Sequence, residues 1–300
     1  MNICIICMGH HPISDSNPLT IEHIVPELIG GGLTAKNVCK HCNSSMGAGF
    51  EARAANNVTF QLPRFVEKIA GKNKKIPNPF IHRFDNEEYG GKCEIQNDLA
   101  FKTIPQLRVS KGIDGEIVEI IADKTEPHKI REMLKIRLKR RVKTEHDLVL
   151  SEAQLNELAG KVMAEATVKI NRVEHPQVQK VYEVDEYSNQ LVYIKIGYEL
   201  AVHHFGFEYT RDERAKLFQA CLYTQHVADA VNFSLPSTAV FGTNYSPKSH
   251  FVRFENGFCF ISLFGMAYSF CYADSPQYCP ANAVQYEFDY INRTYSASRF

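Results

Sequence analysis

The chain has 300 residues, 44% of them hydrophobic and 23% charged, with 34 basic and 34 acidic side chains. That balance supports a buried core and about two domains, and it excludes a disordered tail, a collagen-like repeat and a coiled coil. No apolar run reaches the ~18 residues of a membrane span, and the opening MNICIICMGHH lacks the layout of a secretion signal, so a cytoplasmic protein with no membrane partner is expected. The charge is unevenly placed: residues 1–150 carry a net +4 and residues 151–300 a net −4. A polyanion would therefore be met by the N-terminal half.

The chain opens on two C-x-x-C pairs, Cys4/Cys7 and Cys39/Cys42. Nine cysteines in a chain of this length supply by chance only roughly a quarter of one such pair. Two pairs bring four thiolates to one ion and close the tetrahedron that zinc prefers, so a structural Zn²⁺ is expected. The remaining cysteines, Cys93, Cys221, Cys259, Cys271 and Cys279, read as buried packing residues.

Between the pairs lies a β-branched run, Thr20 to Pro26, carrying Glu22 and His23, then Gly30-Gly31-Gly32, then a second short strand returning through Asn37 to Cys39. After Cys42 the residues Asn43 to Arg53 read as a helix entered through Asn43 or a serine cap. The predicted order is strand, strand, helix, stapled by zinc.

These motifs, C-I-I-C at 4–7, E-H-I-V-P at 22–26, the glycine turn and N-V-C-K-H-C-N at 37–43, resemble the HNH endonucleases, in the subgroup whose ββα-metal finger is braced by a four-cysteine zinc. The resemblance covers about residues 1–55. It implies that His23 is the general base that deprotonates the attacking water. It implies that Asn37 holds the histidine loop by hydrogen bonds and that Glu22 and Asn43 ligate a catalytic divalent ion. Glu22 stands where Asp is frequent and Asn43 where His is frequent. Both are oxygen donors, which favours Mg²⁺ or Mn²⁺. The chemistry is consistent with the residue types: a neutral imidazole accepts a proton near pH 7, and a dication neutralises charge on a leaving oxygen. Adjacent residues on a strand point to opposite faces, so Glu22 and His23 serve one site only if the strand is bent.

Further along, Arg64 to Phe84 is basic, with Lys72, Lys74 and Lys75 at its centre, and reads as a loop leaving a short helix. Residues 92–122 alternate as strands of one small antiparallel sheet. Lys129 to Lys143 reads as an amphipathic helix begun near Pro127, with Lys135, Lys139 and Arg140 on a positive face suited to phosphate backbone, or else a solvated surface. Ser151 to Gln154 has capping-box form and starts a helix to about residue 170. Segment 172–189 is read as a boundary, followed by helices at 191–205 and 211–231 and strands at 250–255, 258–263, 267–272 and 284–291. His10, His11, His41, His203 and His204 read as surface or packing residues.

The expectation is an α+β protein divided into a nuclease finger at 1–57, a strand-rich and basic-helix linking region at 58–175, and a C-terminal α+β domain at 180–300. The resemblance implies a metal-dependent nuclease acting on double-stranded DNA, with a homo-oligomer as one arrangement and restriction or anti-phage defence as the setting. Three alternatives stand beside it: a catalytically silent zinc finger that binds nucleic acid or a protein, an RNA-directed nuclease, and an effector whose C-terminal domain gates the finger through a ligand.

Overall fold

The computed structural model describes residues 3–71, 74–80, 84–86, 91–95, 100–112, 115–123, 125–167, 181–242, 245–246 and 248–300. In chain order the elements begin with β1 (Leu19–His23), β2 (Thr34–Cys39), α1 (Lys40–Ala48), α2 (Phe50–Asn56) and α3 (Val58–Val66). The short strands β3 (Phe84–Asn86), β4 (Gly91–Ile95), β5 (Phe101–Thr103), β6 (Gln106–Gly112) and β7 (Gly115–Ile121) follow, then helices α4 (Pro127–His146) and α5 (Glu152–Glu165). Helices α6 (Glu186–Phe205) and α7 (Glu213–Thr224) lead to β8 (Ser249–Glu255), β9 (Phe258–Leu263), β10 (Met266–Cys271), β11 (Val284–Asp289) and β12 (Thr294–Arg299). This is the α+β class, with a zinc-type ββα finger at its N-terminus.

Two compact units are formed, Met1–Pro77 with Tyr182–Phe300, and Asn78–Val181. The first is discontinuous in sequence: segment 58–77, grouped with the linking region in the sequence reading, falls with the finger. Finger and C-terminal segment also share one apolar core, in which Cys4, Ile5, Val25, Val38 and Phe50 join Tyr193, Ile196, Tyr198, Ile261 and Phe270.

The finger is β1 paired antiparallel with β2, then α1. The helix starts at Lys40 with Cys39 as its N-cap, three residues before the start expected at Asn43, because β2 runs directly into the second zinc knuckle. A break at Gly49 separates α1 from α2, where Gln225 Oε1 accepts from Phe50 N at 3.1 Å. In the glycine turn, Gly30 has φ +91°, and a Cβ on Gly31 would lie 1.7 Å from the Val25 carbonyl oxygen. The glycines are thus required for close backbone approach as well as for the turn.

Helix α6 is the centre of the first unit. Leu191 to Val202 are all buried, the pattern of a helix enclosed on every side. Asp185 caps it, accepting from Ser188 N at 3.0 Å, and Asn57 ties that cap to the finger by donating to Asp185 O at 2.9 Å. The body sheet has the order β10-β9-β8-β11-β12, all antiparallel. Two-residue loops with positive φ at Asn256-Gly257 and Phe264-Gly265 connect β8 to β9 and β9 to β10, the geometry that matches strand twist. The helix expected over 211–231 ends at Thr224, where Gln225 turns left-handed with φ +54°.

In the second unit, residues 92–122 form two sheets where one was expected: β3-β4-β5 and the hairpin β6-β7. Ser151 closes a capping box on α5 with Gln154, and α5 buries Leu155 and Ala159. Among the described residues, no helix is long and apolar enough to cross a membrane.

Candidate nuclease site

The four zinc cysteines are all buried, and their Sγ atoms lie within 4.8 Å of one another. The first knuckle is closed by Met8 N to Cys4 O at 3.0 Å and His10 N to Cys7 O at 2.9 Å. The Cys42 thiol hydrogen-bonds Cys4, drawing Cys4 down to about 5 and pushing Cys42 up. Four thiols crowded to this spacing, one already favoured as thiolate, fit a tetrahedral dication with no open position, which is a structural Zn²⁺ site. Of the other cysteines, Cys93, Cys221 and Cys259 are buried as expected, whereas Cys271 and Cys279 are half-buried, their Sγ atoms 3.5 and 3.8 Å from the Ala273 carbonyl oxygen.

His23 ends β1, opposite Thr34 on β2. Its side chain is half-buried, and no group among the described residues hydrogen-bonds its ring. The chain on either side is held firmly: Ile24 N donates to Leu33 O at 3.1 Å, and Lys195 Nζ donates to His23 O at 2.7 Å. The strand is irregular here, with a register shift between Thr20 and Glu22, the kind of bulge that re-aims side chains near a site.

Asn43 projects from α1 onto β1. Its Nδ2 donates to Thr20 Oγ1 at 2.9 Å and to Ile21 O at 3.2 Å, using both amide hydrogens, and no hydrogen bond among the described residues reaches its Oδ1. Thr20 Oγ1 passes the chain on to Val38 O at 3.1 Å. Asn37 contributes its main-chain carbonyl to Ile5 N at 3.0 Å, while its Oδ1 is buried without a hydrogen-bond partner among the described residues.

Glu22 is 6% exposed and turns inward, its Oε1 2.6 Å from Lys195 Nζ. The same ammonium reaches Glu51 Oε1 at 3.1 Å. Asn43 and Glu22 both carry oxygen donors, the ligand type that suits a hard divalent cation.

Lys195, Glu51 and Glu199 were missed by motif reading. The available signal was a lysine and a glutamate four residues apart inside an otherwise apolar helix, since such residues are almost never fully buried unless paired.

The remaining predicted residues lie apart from this centre. His41 is exposed and its ring stacks on His11 at 3.8 Å; His204 pairs with the Tyr286 hydroxyl at 2.8 Å. On α4, Lys135 is paired with Glu152, whereas Lys139 and Arg140 are exposed. The α4 surface is less cleanly divided than expected, because Ile136 is 53% exposed among the charges. Lys74 and Lys75 are exposed in the first unit, and Lys72 lies outside the described residues.

No curated protein and no solved structure matches the chain. Residues 4–59 match the HNH endonuclease family, over the same segment that carries the cysteine cluster and the two-strand, one-helix finger. The match supports nuclease activity in general and a nucleic-acid substrate. Residues 4–59 are thus similar to an HNH endonuclease domain.

Proposed function

We propose that this chain is a metal-dependent endonuclease that hydrolyses phosphodiester bonds in double-stranded DNA, with His23 as general base. The observation that carries the reading is the His23 imidazole: half-buried, with no hydrogen bond to its ring among the described residues, on a backbone fixed on both sides. An imidazole nitrogen so placed is available to take a proton from an attacking water.

We assign Glu22 and Asn43 as the residues that hold Mg²⁺ or Mn²⁺; Asn43 Oδ1 is turned to that use by the two bonds of its amide nitrogen. When bound, the ion supplies charge neutralisation at the scissile phosphate and leaving oxygen. Asn37, whose main-chain carbonyl accepts from Ile5 N, is assigned as the residue that steadies the histidine loop. Lys74, Lys75, Lys139 and Arg140 add sequence-independent attraction to the phosphate backbone. Restriction or anti-phage defence is the setting proposed, supported by family likeness.

Supercoiled plasmid is incubated with protein and Mg²⁺ or Mn²⁺, beside a structured RNA. The parent is expected to nick or linearise DNA, and His23→Ala to abolish cutting while keeping its zinc. Equal cutting by His23→Ala overturns the assignment of the base; an inert parent leaves a nucleic-acid-binding finger; cutting of RNA alone reassigns the substrate.

A further inference from the structure

Helix α6 is apolar from Leu191 to Val202 apart from a few polar positions, of which Lys195 and Glu199 are charged types with no exposure at all. Burying an ammonium costs several kcal/mol unless its hydrogens are matched. Lys195 donates to His23 O at 2.7 Å and forms ion pairs with Glu22 Oε1 at 2.6 Å and Glu51 Oε1 at 3.1 Å. Glu199 Oε2 stands off at 3.7 Å, and neither of its oxygens has a hydrogen-bond partner. Burial raises the Glu199 carboxyl well above the usual range, which keeps it neutral. Burial alone would lower the Lys195 pKa, but the surrounding carboxylates outweigh it and hold the ammonium charged.

Two of these three contacts fall on consecutive residues of β1, an ion pair with the side chain of Glu22 and a hydrogen bond to the main chain of His23. The strand ladder shifts register just before them, between Thr20 and Glu22, and pairing resumes at Glu22 with Ala35 and His23 with Thr34, so the ammonium adds a second hold on the stretch that follows the bulge. We propose that Lys195 is a positioning residue for the nuclease reaction: by gripping the Glu22 carboxylate and the His23 carbonyl together, it sets where the His23 imidazole stands relative to the scissile phosphate. Glu51 steadies the ammonium from the α2 side, and Lys195 itself touches no substrate. The inference rests on His23 being the base.

The test uses full-length protein. Lys195→Met keeps the side-chain volume but leaves two buried carboxylates without a cation. Lys195→Met/Glu51→Gln removes one charge of each sign and keeps the parent's net charge in the cluster. Glu51→Gln alone keeps the ammonium on Glu22 and His23. Each is checked for zinc content and melting temperature. Cleavage of a labelled duplex is then followed in single turnover with enzyme in excess, so that the rate does not depend on the active fraction. The double variant is expected to cut about 100-fold more slowly, the effect of a misplaced catalytic group, with the half-saturating DNA concentration within about threefold of the parent. Glu51→Gln is expected to stay within about tenfold of the parent rate. A folded, zinc-replete double variant that cuts at the parent's rate overturns the proposal, as does a loss confined to DNA affinity. Failure of both lysine variants to fold assigns Lys195 to stability alone and overturns it too. A parent that does not cut, or a His23→Ala protein that does, overturns the nuclease reading instead, and the two failures are thereby told apart.

Discussion

The phenol of Tyr198 on α6 donates to the main-chain carbonyl of Ile5, between the first two zinc cysteines, at 2.5 Å. Gln219 Nε2 completes that hydroxyl by donating to it at 3.0 Å. The zinc knuckle is therefore built partly by the C-terminal segment. Tyr198→Phe leaves a buried carbonyl without its donor and is expected to cost ~1–2 kcal/mol. Urea unfolding should give a lower midpoint at unchanged slope; an unchanged midpoint would show that the bond adds nothing.

Zinc removal should reach beyond the finger. The four cysteines belong to the same apolar core as the body sheet, and a structural zinc of this type is worth ~10 kcal/mol or more of folding free energy. Cys42→Ser, or treatment with a chelator after mild unfolding, is expected to lose tyrosine near-UV circular dichroism of the body together with the finger signal, in one transition. Two separate transitions would mean that the shared core is not cooperative.

Gly31→Ala places a methyl group 1.7 Å from the Val25 carbonyl oxygen, a clash with backbone that no rotamer relieves. A loss above ~4 kcal/mol, or failure to fold, is expected, and thermal unfolding of the purified variant measures it.

His250 gives the fold a built-in sensitivity to acid. It is fully buried in β8, with Nε2 2.9 Å from Ile29 O and Nδ1 accepting from Phe264 N at 3.3 Å. Burial lowers its pKa from 6.5 to about 4. The unfolded chain then binds a proton near pH 6.5 that the folded chain refuses, so stability present above that pH is lost as pH falls to about 4. The loss amounts to about 3 kcal/mol. Denaturation midpoints at pH 7, 5.5 and 4.5 should fall in that order, and His250→Asn should flatten the slope.

Exposed Lys139 and Arg140 on α4 give a separate test of the basic helix. If they neutralise phosphates, each change to Ala lowers the slope of log affinity against log salt by about one. Fluorescence anisotropy with a labelled duplex between low and moderate salt reads this; an unchanged slope makes α4 a solvated surface.

The finger was legible because its signals are local: paired cysteines, the Glu22-His23 dipeptide and three glycines within a short loop. The body strands were legible from aromatic and β-branched alternation. Strand β12 was not, because all six of its residues are exposed, so no hydrophobic period marks them. The start of α1 was misplaced because a cap was sought among Asn and Ser, whereas Cys39, held by its knuckle, fills that position. Lys195 was hidden for a different reason. Its partners Glu22 and Glu51 lie more than a hundred residues upstream, and no local pattern carries such a pairing.

The discontinuous first unit also orders events in time. During synthesis the chain emerges from its N-terminus, so the cysteines and His23 are exposed well before residues 186–205 supply the helix that encloses them, and before Tyr290 and Arg293 meet the glycine turn. Zinc can be captured early, yet the strand bearing the imidazole stays ungripped until a later stretch has left the ribosome. A partly made chain would thus carry His23 on a strand that still lacks its grip from Lys195.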